Sequence, residues 1–252
     1  MRTIETKVLY SKSAVGTQVL LTSNGTSLIA DAGDGLLRDL TAIHFDFESL
    51  LGVLITHEHS DHTGGLFSLL HFMGHLPRKD PLQIIAPKPV LYLRRLLEPP
   101  LMYSHLPFEA KVDEVEEGGK VDLGPFVIEP FATEHSDLPS VGYSVSDSSG
   151  YRVVISGDAV ASRGLRRRVT GADLAVLEST FRDGQEKYAR AYGHMTVSQA
   201  RGLGRLAKRV MLVHQMPQDY FEKMTCSVID AEKAPTAGRP SSSRKRPSPR
   251  RR

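Results

Sequence analysis

The 252-residue chain has no tryptophan and a single cysteine, Cys226. One thiol excludes a disulfide framework and a cysteine-based zinc site. No apolar run approaches the ~20 residues that a membrane-spanning helix needs, so no membrane partner is expected. The opening stretch from Met1 to Lys7 carries no apolar segment, and no secretory signal is read there. The lone thiol and the missing signal together point to a cytoplasmic protein.

Positive charge is scarce in most of the chain. Of 32 Lys and Arg, eight fall within residues 233–252, a stretch with no acidic residue. The other 24 face all 29 Asp and Glu, so residues 1–232 are mildly acidic despite the overall charge of +3. A basic face covering the whole molecule is therefore not expected, although a local patch is compatible with the composition. From about Ala234 the sequence collapses to Pro, Ser, Gly and Arg. We read one folded domain over 1–232 and a disordered basic tail over 233–252. No internal repeat of fixed period is found.

The folded part alternates short apolar runs with amphipathic ones. Strands are expected at 7–10, 18–22, 27–30, 50–55, 82–86, 111–115, 120–122, 126–135, 141–147, 151–156, 174–177 and 210–213. Helices are expected at 36–43, 65–75, 89–97 and 196–208, the third opening on Pro89 and stopped by Pro99-Pro100. Two strand-rich halves, each covered by helices, predict a sheet-on-sheet core with helices outside.

The chemistry concentrates in Thr56-His57-Glu58-His59-Ser60-Asp61-His62-Thr63-Gly64-Gly65. The apolar strand at 50–55 leads into it and a helix leads out, so the histidines sit on a strand-to-helix loop. Imidazole and carboxylate are the usual ligands of zinc and similar metals. Four more candidates end apolar strands: Asp31, His135, Asp158 and His214. Strand ends can converge on one edge of a layered α/β protein. A single histidine of this kind is more often a satisfied core or loop residue, but the combination favours a metal site. His44, His71, His75 and His105 lack ligand spacing and are read as structural. The Leu and Met pattern at 66–73 is read as core.

The cluster His57-x-His59-x-Asp61-His62 resembles the signature of the metallo-β-lactamase superfamily, and the likeness runs from about residue 7 to His214. It implies an α/β fold, a four-layer αββα sandwich, holding two divalent metal ions, usually zinc, with manganese as the alternative. By the family's pattern His57, His59 and His135 hold one metal, Asp61, His62 and His214 hold the other, and Asp158 bridges them. Asp31 would orient a histidine from behind. A metal pair about 3.5–4 Å apart lowers the pKa of a bound water towards ~7 and neutralises charge on an attacked phosphoryl or carbonyl oxygen.

Leu177-Glu178-Ser179-Thr180-Phe181 and Gly193-His194-Met195-Thr196 are similar to two segments of the ribonuclease Z branch. So are Ser136 to Tyr143 and the Gly-rich corner Ile29 to Gly35. This resemblance implies a two-metal phosphodiesterase acting on RNA, with transfer-RNA 3′-end processing as the reference activity and a homodimer as the common assembly. It gives catalytic roles to Asp61, His194 and Glu178. Asp61 orients the attacking water or takes its proton, and His194, supported by Glu178, assists the phosphate or the leaving oxygen.

Three features differ from that branch. The interval between His135 and Asp158 has room for a strand pair only, where those enzymes insert a flexible arm. Ser11-Lys12-Ser13-Ala14-Val15-Gly16 replaces their Gly-Thr-Gly-type opening. Their closing strands are not evident after Tyr220, unless Cys226-Ser227-Val228-Ile229 is a remnant. A small-molecule metallohydrolase of the same fold therefore stays open, cutting a cyclic phosphodiester, a carboxylic ester or a sulfate ester. A nucleic-acid-binding protein working through the tail is the third reading. Arg163, Arg166, Arg167 and Arg168 are candidates for substrate phosphates, or else one solvated helix face.

Overall fold

The computed structural model describes residues 3–96, 106–135 and 138–217. The first half runs β1 (Glu5–Lys12), β2 (Gly16–Ser23), β3 (Thr26–Ala30), α1 (Leu36–Ala42), a 3-10 turn (Phe47–Ser49), β4 (Leu50–Leu54), α2 (Ser60–Thr63), α3 (Leu66–Met73), β5 (Leu82–Pro87), α4 (Leu93–Leu96) and β6 (Ala110–Val115). The second runs β7 (Val121–Leu123), β8 (Phe126–Ala132), β9 (Val141–Asp147), β10 (Arg152–Ile155), α5 (Arg163–Val169), β11 (Leu174–Glu178), α6 (Glu186–Ala191), α7 (Val197–Gly204) and β12 (Val210–Val213). Each half builds one six-stranded sheet, in the order β1-β2-β3-β4-β5-β6 and β12-β11-β10-β9-β8-β7.

The two-residue alternation of side chains in a strand decides the layers. Leu21, Leu28 and Leu54 of the first sheet meet Ile128, Tyr143, Val153 and Val176 of the second in one buried cluster between the sheets. Their neighbours Leu20, Ile29 and Val53 face the other way and pack on Leu36 and Leu40 of α1 and on Leu66, Leu69, Leu70 and Met73 of α3. On the far side Val154, Ala175 and Leu177 pack on Leu165 and Val169 of α5 and on Ala200 and Leu203 of α7. This is the expected αββα sandwich. The Leu and Met stripe at 66–73 is core, as read from its spacing.

Differences from the expected elements are local. Strand β8 ends at Ala132, so Thr133, Glu134 and His135 leave the sheet before the histidine is reached. The helix expected from Pro89 starts at Leu93. The residues 97–105, which include His105 and the expected Pro99-Pro100 stop, lie outside the described residues, as do Ser136, Asp137, Cys226 to Ile229 and the tail. Arg78, which carried no sequence signal, is buried. Its guanidinium donates to the carbonyls of Phe47, Asp80 and Pro81, tying the turn before β4 to the entry of β5.

Pairing is parallel for β3 with β4, β4 with β5, β10 with β11 and β11 with β12. The carboxyl ends of these strands therefore share one edge of the sandwich, where an open α/β sheet can build a site. Tyr143 crosses the core beneath that edge. Its buried hydroxyl lies 2.7 Å from the carbonyl of Ile55 and 3.1 Å from that of Ile85. One phenol of the second sheet thus braces the two first-sheet strands that approach the histidine loop.

Candidate metal centre

The loop after β4 is shaped by its neighbours as much as by its own sequence. Asp31, at the end of β3, takes a left-handed backbone with φ 59°. Its Oδ1 accepts the amide of Thr56 at 2.8 Å. The corner that follows comes so close to the loop that a Cβ on Gly33 would lie 2.5 Å from the carbonyl oxygen of Asp61 and 2.4 Å from the amide of Thr17. The Gly-rich corner is therefore required by close backbone approach. Opposite it, Gly157 has φ 58° and lets β10 turn towards Asp158 beside Thr56.

Six of the seven expected ligands turn a donor atom to one of two points. Around the first, His57 Nε2 lies 2.8 Å from His59 Nδ1, which lies 3.2 Å from His135 Nε2. Around the second, His214 Nε2 lies 3.3 Å from His62 Nε2 and 3.1 Å from Asp61 Oδ2. Asp158 sits between the sets, its Oδ2 3.4 Å from His62 Nε2 and 3.9 Å from both His57 Nε2 and His135 Nε2. Donors bound at 2.0–2.1 Å in a tetrahedral shell stand about 3.3 Å apart. The observed separations fit that spacing, and the donor set is imidazole and carboxylate. Asp158 Oδ1 is buried with no hydrogen-bond partner. Oδ2 of Asp158 faces the converging Nε2 atoms while Oδ1 lies 3.3 Å from His214 Nδ1, and a buried carboxylate among imidazoles fits a cation, because burying it otherwise is costly.

Behind four of the five imidazoles an acceptor fixes the tautomer. His62 Nδ1 donates to Asp31 Oδ2 at 2.8 Å, and His135 Nδ1 donates to the carbonyl of Gly193 at 3.0 Å. His57 Nδ1 meets the Thr56 hydroxyl at 3.1 Å, and that hydroxyl in turn serves Asp31. His214 Nδ1 meets the Thr180 hydroxyl at 2.9 Å, which donates to Glu178 Oε2 at 2.9 Å. Each of these four rings is left with Nε2 for the centre. The expected orienting role of Asp31 matches this geometry.

The electrostatics divide the two sets. Burial holds His57 well below the usual histidine range, with His62 adding to the shift. Burial also lowers His135 to about 4, against the opposing pull of Asp158. Burial acts the same way on His62, but the carboxylates of Asp158 and Asp31 outweigh it and raise that histidine well above its usual value. For Asp61, burial favours the neutral acid, yet the hydrogen bond and charge of His214 and the charge of His62 bring it down to about 2.

His194 and Glu178 lie beside this centre. Glu178 ends β11, fully enclosed, and its carboxylate accepts the amides of Ala159, Met195 and Thr180. Its Oε1 also lies 3.0 Å from His194 Nδ1, which is 3.8 Å from Asp158 Oδ2. The Nδ1 side of His194 is thus engaged with Glu178, and the ring also converges with His135 and Asp158. Burial works to lower the pKa of His194, but the hydrogen bond and charge of Glu178 and the charge of Asp158 raise it overall. Thr196, two residues on, caps α7 in a reciprocal capping box with Gln199, which fixes the backbone that carries His194.

The four arginines separate. Arg163 and Arg167, one helical turn apart on α5, line an open cavity together with His194. Arg168 instead pairs with Glu117 at 3.5 Å and lies over the ring of Phe131. Arg166 is exposed and does not line that cavity. His44, His71 and His75 belong to no group of converging metal ligands among the described residues. Sequence reasoning missed Glu58. Its carboxylate accepts the amides of Leu91, Tyr92 and Leu93 at 2.6–2.7 Å, anchoring the loop between His57 and His59 to the start of α4. An acidic residue between two ligand histidines was the only available signal, and it does not identify partners more than 30 residues away.

A family model described as a beta-lactamase superfamily domain matches residues 26–215. The chain is similar to proteins named ribonuclease Z. The one from Bradyrhizobium sp. (strain ORS 278) is 26% identical over 234 residues, covering 73% of this chain and 78% of the relative. The one from Archaeoglobus fulgidus is 24% identical over 241 residues, covering 75% and 78%. The crystal structure of human tRNase Z, short form, superposes with a TM-score of 0.73 at 25% identity, covering 85% of this chain and 93% of that one. YhfI from Bacillus subtilis, described as a metallo-beta-lactamase fold protein, gives a TM-score of 0.72 at 20% identity, covering 90% and 94%. The matched stretch runs from the start of β3 to the residue after His214 and encloses Asp31 and all seven converging side chains; the chain belongs to the beta-lactamase superfamily.

Proposed function

We propose that the protein is a two-metal phosphodiesterase of the ribonuclease Z type, cutting RNA at or near a 3′ end, with precursor transfer RNA as the reference substrate. The observation that carries this reading is the pair Glu178 and His194 beside the converging ligands, with Nδ1 of the histidine held 3.0 Å from the carboxylate. Phosphodiester cleavage leaves an anionic oxygen that an imidazole held in this position can stabilise or protonate.

In this reading His57, His59 and His135 hold one cation, Asp61, His62 and His214 hold a second, and Asp158 lies between them. Zinc suits the imidazole-rich donor set, and manganese is the alternative. Bound metal would supply Lewis acidity and water activation. The chain does the rest. Asp31, Thr56, Thr180 and the Gly193 carbonyl hold the histidine rings in place. Asp61, kept ionised near neutral pH, accepts a proton or fixes the direction of the attacking water. His194 keeps a proton above the usual histidine range and delivers it through Nε2. The protein would work in the cytoplasm, as a homodimer.

One observation favours a second reading within the same chemistry. Between His135 and Asp158 the described residues form only the antiparallel strands β9 and β10, which leaves no arm to grip a folded RNA. A small phosphodiester, such as a cyclic nucleotide, is the substrate in that case. The test uses purified protein with zinc or manganese and three substrates: a precursor transfer RNA, bis-p-nitrophenyl phosphate and a cyclic nucleotide. Cleavage of the RNA at one position, lost in His194→Ala, is the expected result. Turnover of the small diesters with the RNA left intact would move the assignment to the second reading. Cleavage of none of them would remove the phosphodiesterase assignment.

A further inference from the structure

An open cavity of about 900 Å³ adjoins the candidate centre, and His194 forms part of its wall. Two helices supply the rest of its charge. Arg163 and Arg167 come from α5, while Lys187 and Arg190 come from α6. All four are exposed, and none forms an ion pair among the described residues. Two acidic residues, Glu134 and Glu186, also line the space, so the wall keeps a net positive charge. Its size lies at the upper end of pockets that hold small ligands.

Residues 1–232 carry more acids than bases, yet four unpaired cations collect around one cavity whose wall includes the proposed proton donor. Elsewhere on the surface Arg38, Arg94, Lys111, Arg168 and Lys208 are paired with carboxylates, while Lys7, Lys79, Arg95, Arg205 and Arg209 are exposed without an ion pair among the described residues but share no cavity with the centre. Unpaired cations around a concavity focus the field on an anionic ligand. Four of them from two helices exceed what one scissile phosphate requires.

We propose that this cavity is a groove for single-stranded RNA, in which Arg163, Arg167, Lys187 and Arg190 hold phosphates that flank the scissile one. The proposal rests on the phosphodiesterase reading and narrows its substrate class to a strand carrying several phosphates. The groove would take over part of the grip that a long arm could otherwise give. Its contacts go to the backbone, so they position the strand without reading sequence.

Binding and turnover are to be measured on the metal-loaded full chain. The binding probe is a short hydrolysis-resistant phosphorothioate RNA, followed by fluorescence anisotropy across a salt series. Each lost phosphate contact on a single strand lowers the slope of log affinity against log salt by about 0.7. The R167Q/R190Q double variant should therefore lose about 1.4 from that slope and bind at least tenfold more weakly at low salt. In turnover, its loss of kcat/KM should be at least tenfold larger on a single-stranded RNA than on bis-p-nitrophenyl phosphate, and should fall on KM. R166Q, outside the cavity, serves as the control and should match the parent protein on RNA.

An unchanged salt slope in R167Q/R190Q would overturn the proposal. So would equal losses on RNA and on the small diester, which would place the arginines at a step both substrates share. A loss confined to a cyclic nucleotide would make the cavity a small-molecule pocket and also overturn it. If the parent protein cleaves no diester, the catalytic reading fails on that result alone, while the salt slope still decides whether the groove binds RNA.

Discussion

Glu178 Oε1 and His194 Nδ1 stand 3.0 Å apart, and the same carboxylate also accepts three backbone amides. The carboxylate is therefore fixed before any substrate arrives, and the imidazole inherits its orientation. In the proposed function Glu178 acts as a positioning residue and His194 as the group that would meet the substrate. His194→Ala should lower kcat on a phosphodiester by ~10²–10⁴-fold, the usual contribution of a general acid. Glu178→Gln should have a smaller effect with a distinct signature. Glu178 raises the pKa of His194, so the protonated form survives to higher pH in the parent protein. Without the carboxylate charge, the alkaline limb of the kcat profile should move to lower pH. A profile that stays in place while kcat falls would show that Glu178 only supports the fold.

Asp31 governs His62 from behind, through the 2.8 Å contact between Oδ2 and Nδ1. Asp31→Asn keeps the size but removes the charge. Changes of this kind behind a ligand histidine typically cost 10–100-fold in metal affinity. The loss should fall on the set of Asp61, His62 and His214, leaving His57, His59 and His135 loaded. Metal content after dialysis against a weak chelator should then drop from near two ions per chain towards one. Equal loss from both sets would rule out a separate role for Asp31.

The two ligand sets should also differ in their response to pH. In the metal-free protein His62 is raised well above its usual value by Asp158 and Asp31. It therefore carries a proton at neutral pH that an incoming cation must expel. His57 and His135 are both lowered by burial and are already neutral there. As pH falls from neutral, affinity should weaken first at the His62 set. Calorimetric titration in two buffers of different ionisation heat should show about one proton released with one metal and little with the other. Identical proton release for both would overturn this asymmetry between the two sets.

Gly33→Ala tests the corner against the loop. The added methyl would meet three backbone atoms, those of Thr17, Asp61 and Gly16, within 2.4–2.7 Å, and no side chain can move aside to admit it. Overpacking of this kind costs about 1–3 kcal/mol. Because Asp61 is displaced with its carbonyl, Tm and metal affinity should fall together. A variant with lowered Tm and unchanged metal affinity would separate the corner from the centre.

Much of this arrangement was legible in the sequence. Asp31, Asp158 and His214 each follow an apolar run, and an apolar run is a strong strand signal. Parallel pairing then carries strand ends to one edge, so ligands far apart in sequence could be expected together. His135 needed a correction in detail, because β8 stops at Ala132 and an extended segment completes the reach. Helices α5 and α6 gave little signal. They span seven and six residues, and α5 buries only Leu165 and Val169 among its arginines. The late start of α4 was not legible either. The amides of Leu91 to Leu93 are taken up by Glu58, a partner that no local pattern announces. The division of the arginines into two lining a cavity and two outside it depends on α5 being rotated so that Arg163 and Arg167 share a face. Charge counting treats all four alike.

The ligand sets have a mechanical meaning as well as a chemical one. His57, His59, Asp61 and His62 come from the half that builds the first sheet, whereas His135, Asp158 and His214 come from the half that builds the second. Each set mixes the two. The sheets share no strand, so a cation in either set would act as a rivet across their seam, beside the single phenol of Tyr143. An ion at a hundred times its dissociation constant adds about 2.7 kcal/mol to the folded state, a sizeable part of the margin on which a domain survives. The supply of free metal would therefore add to the core between the sheets in holding the two halves together, and scarcity would lower the stability of the protein as well as silence it.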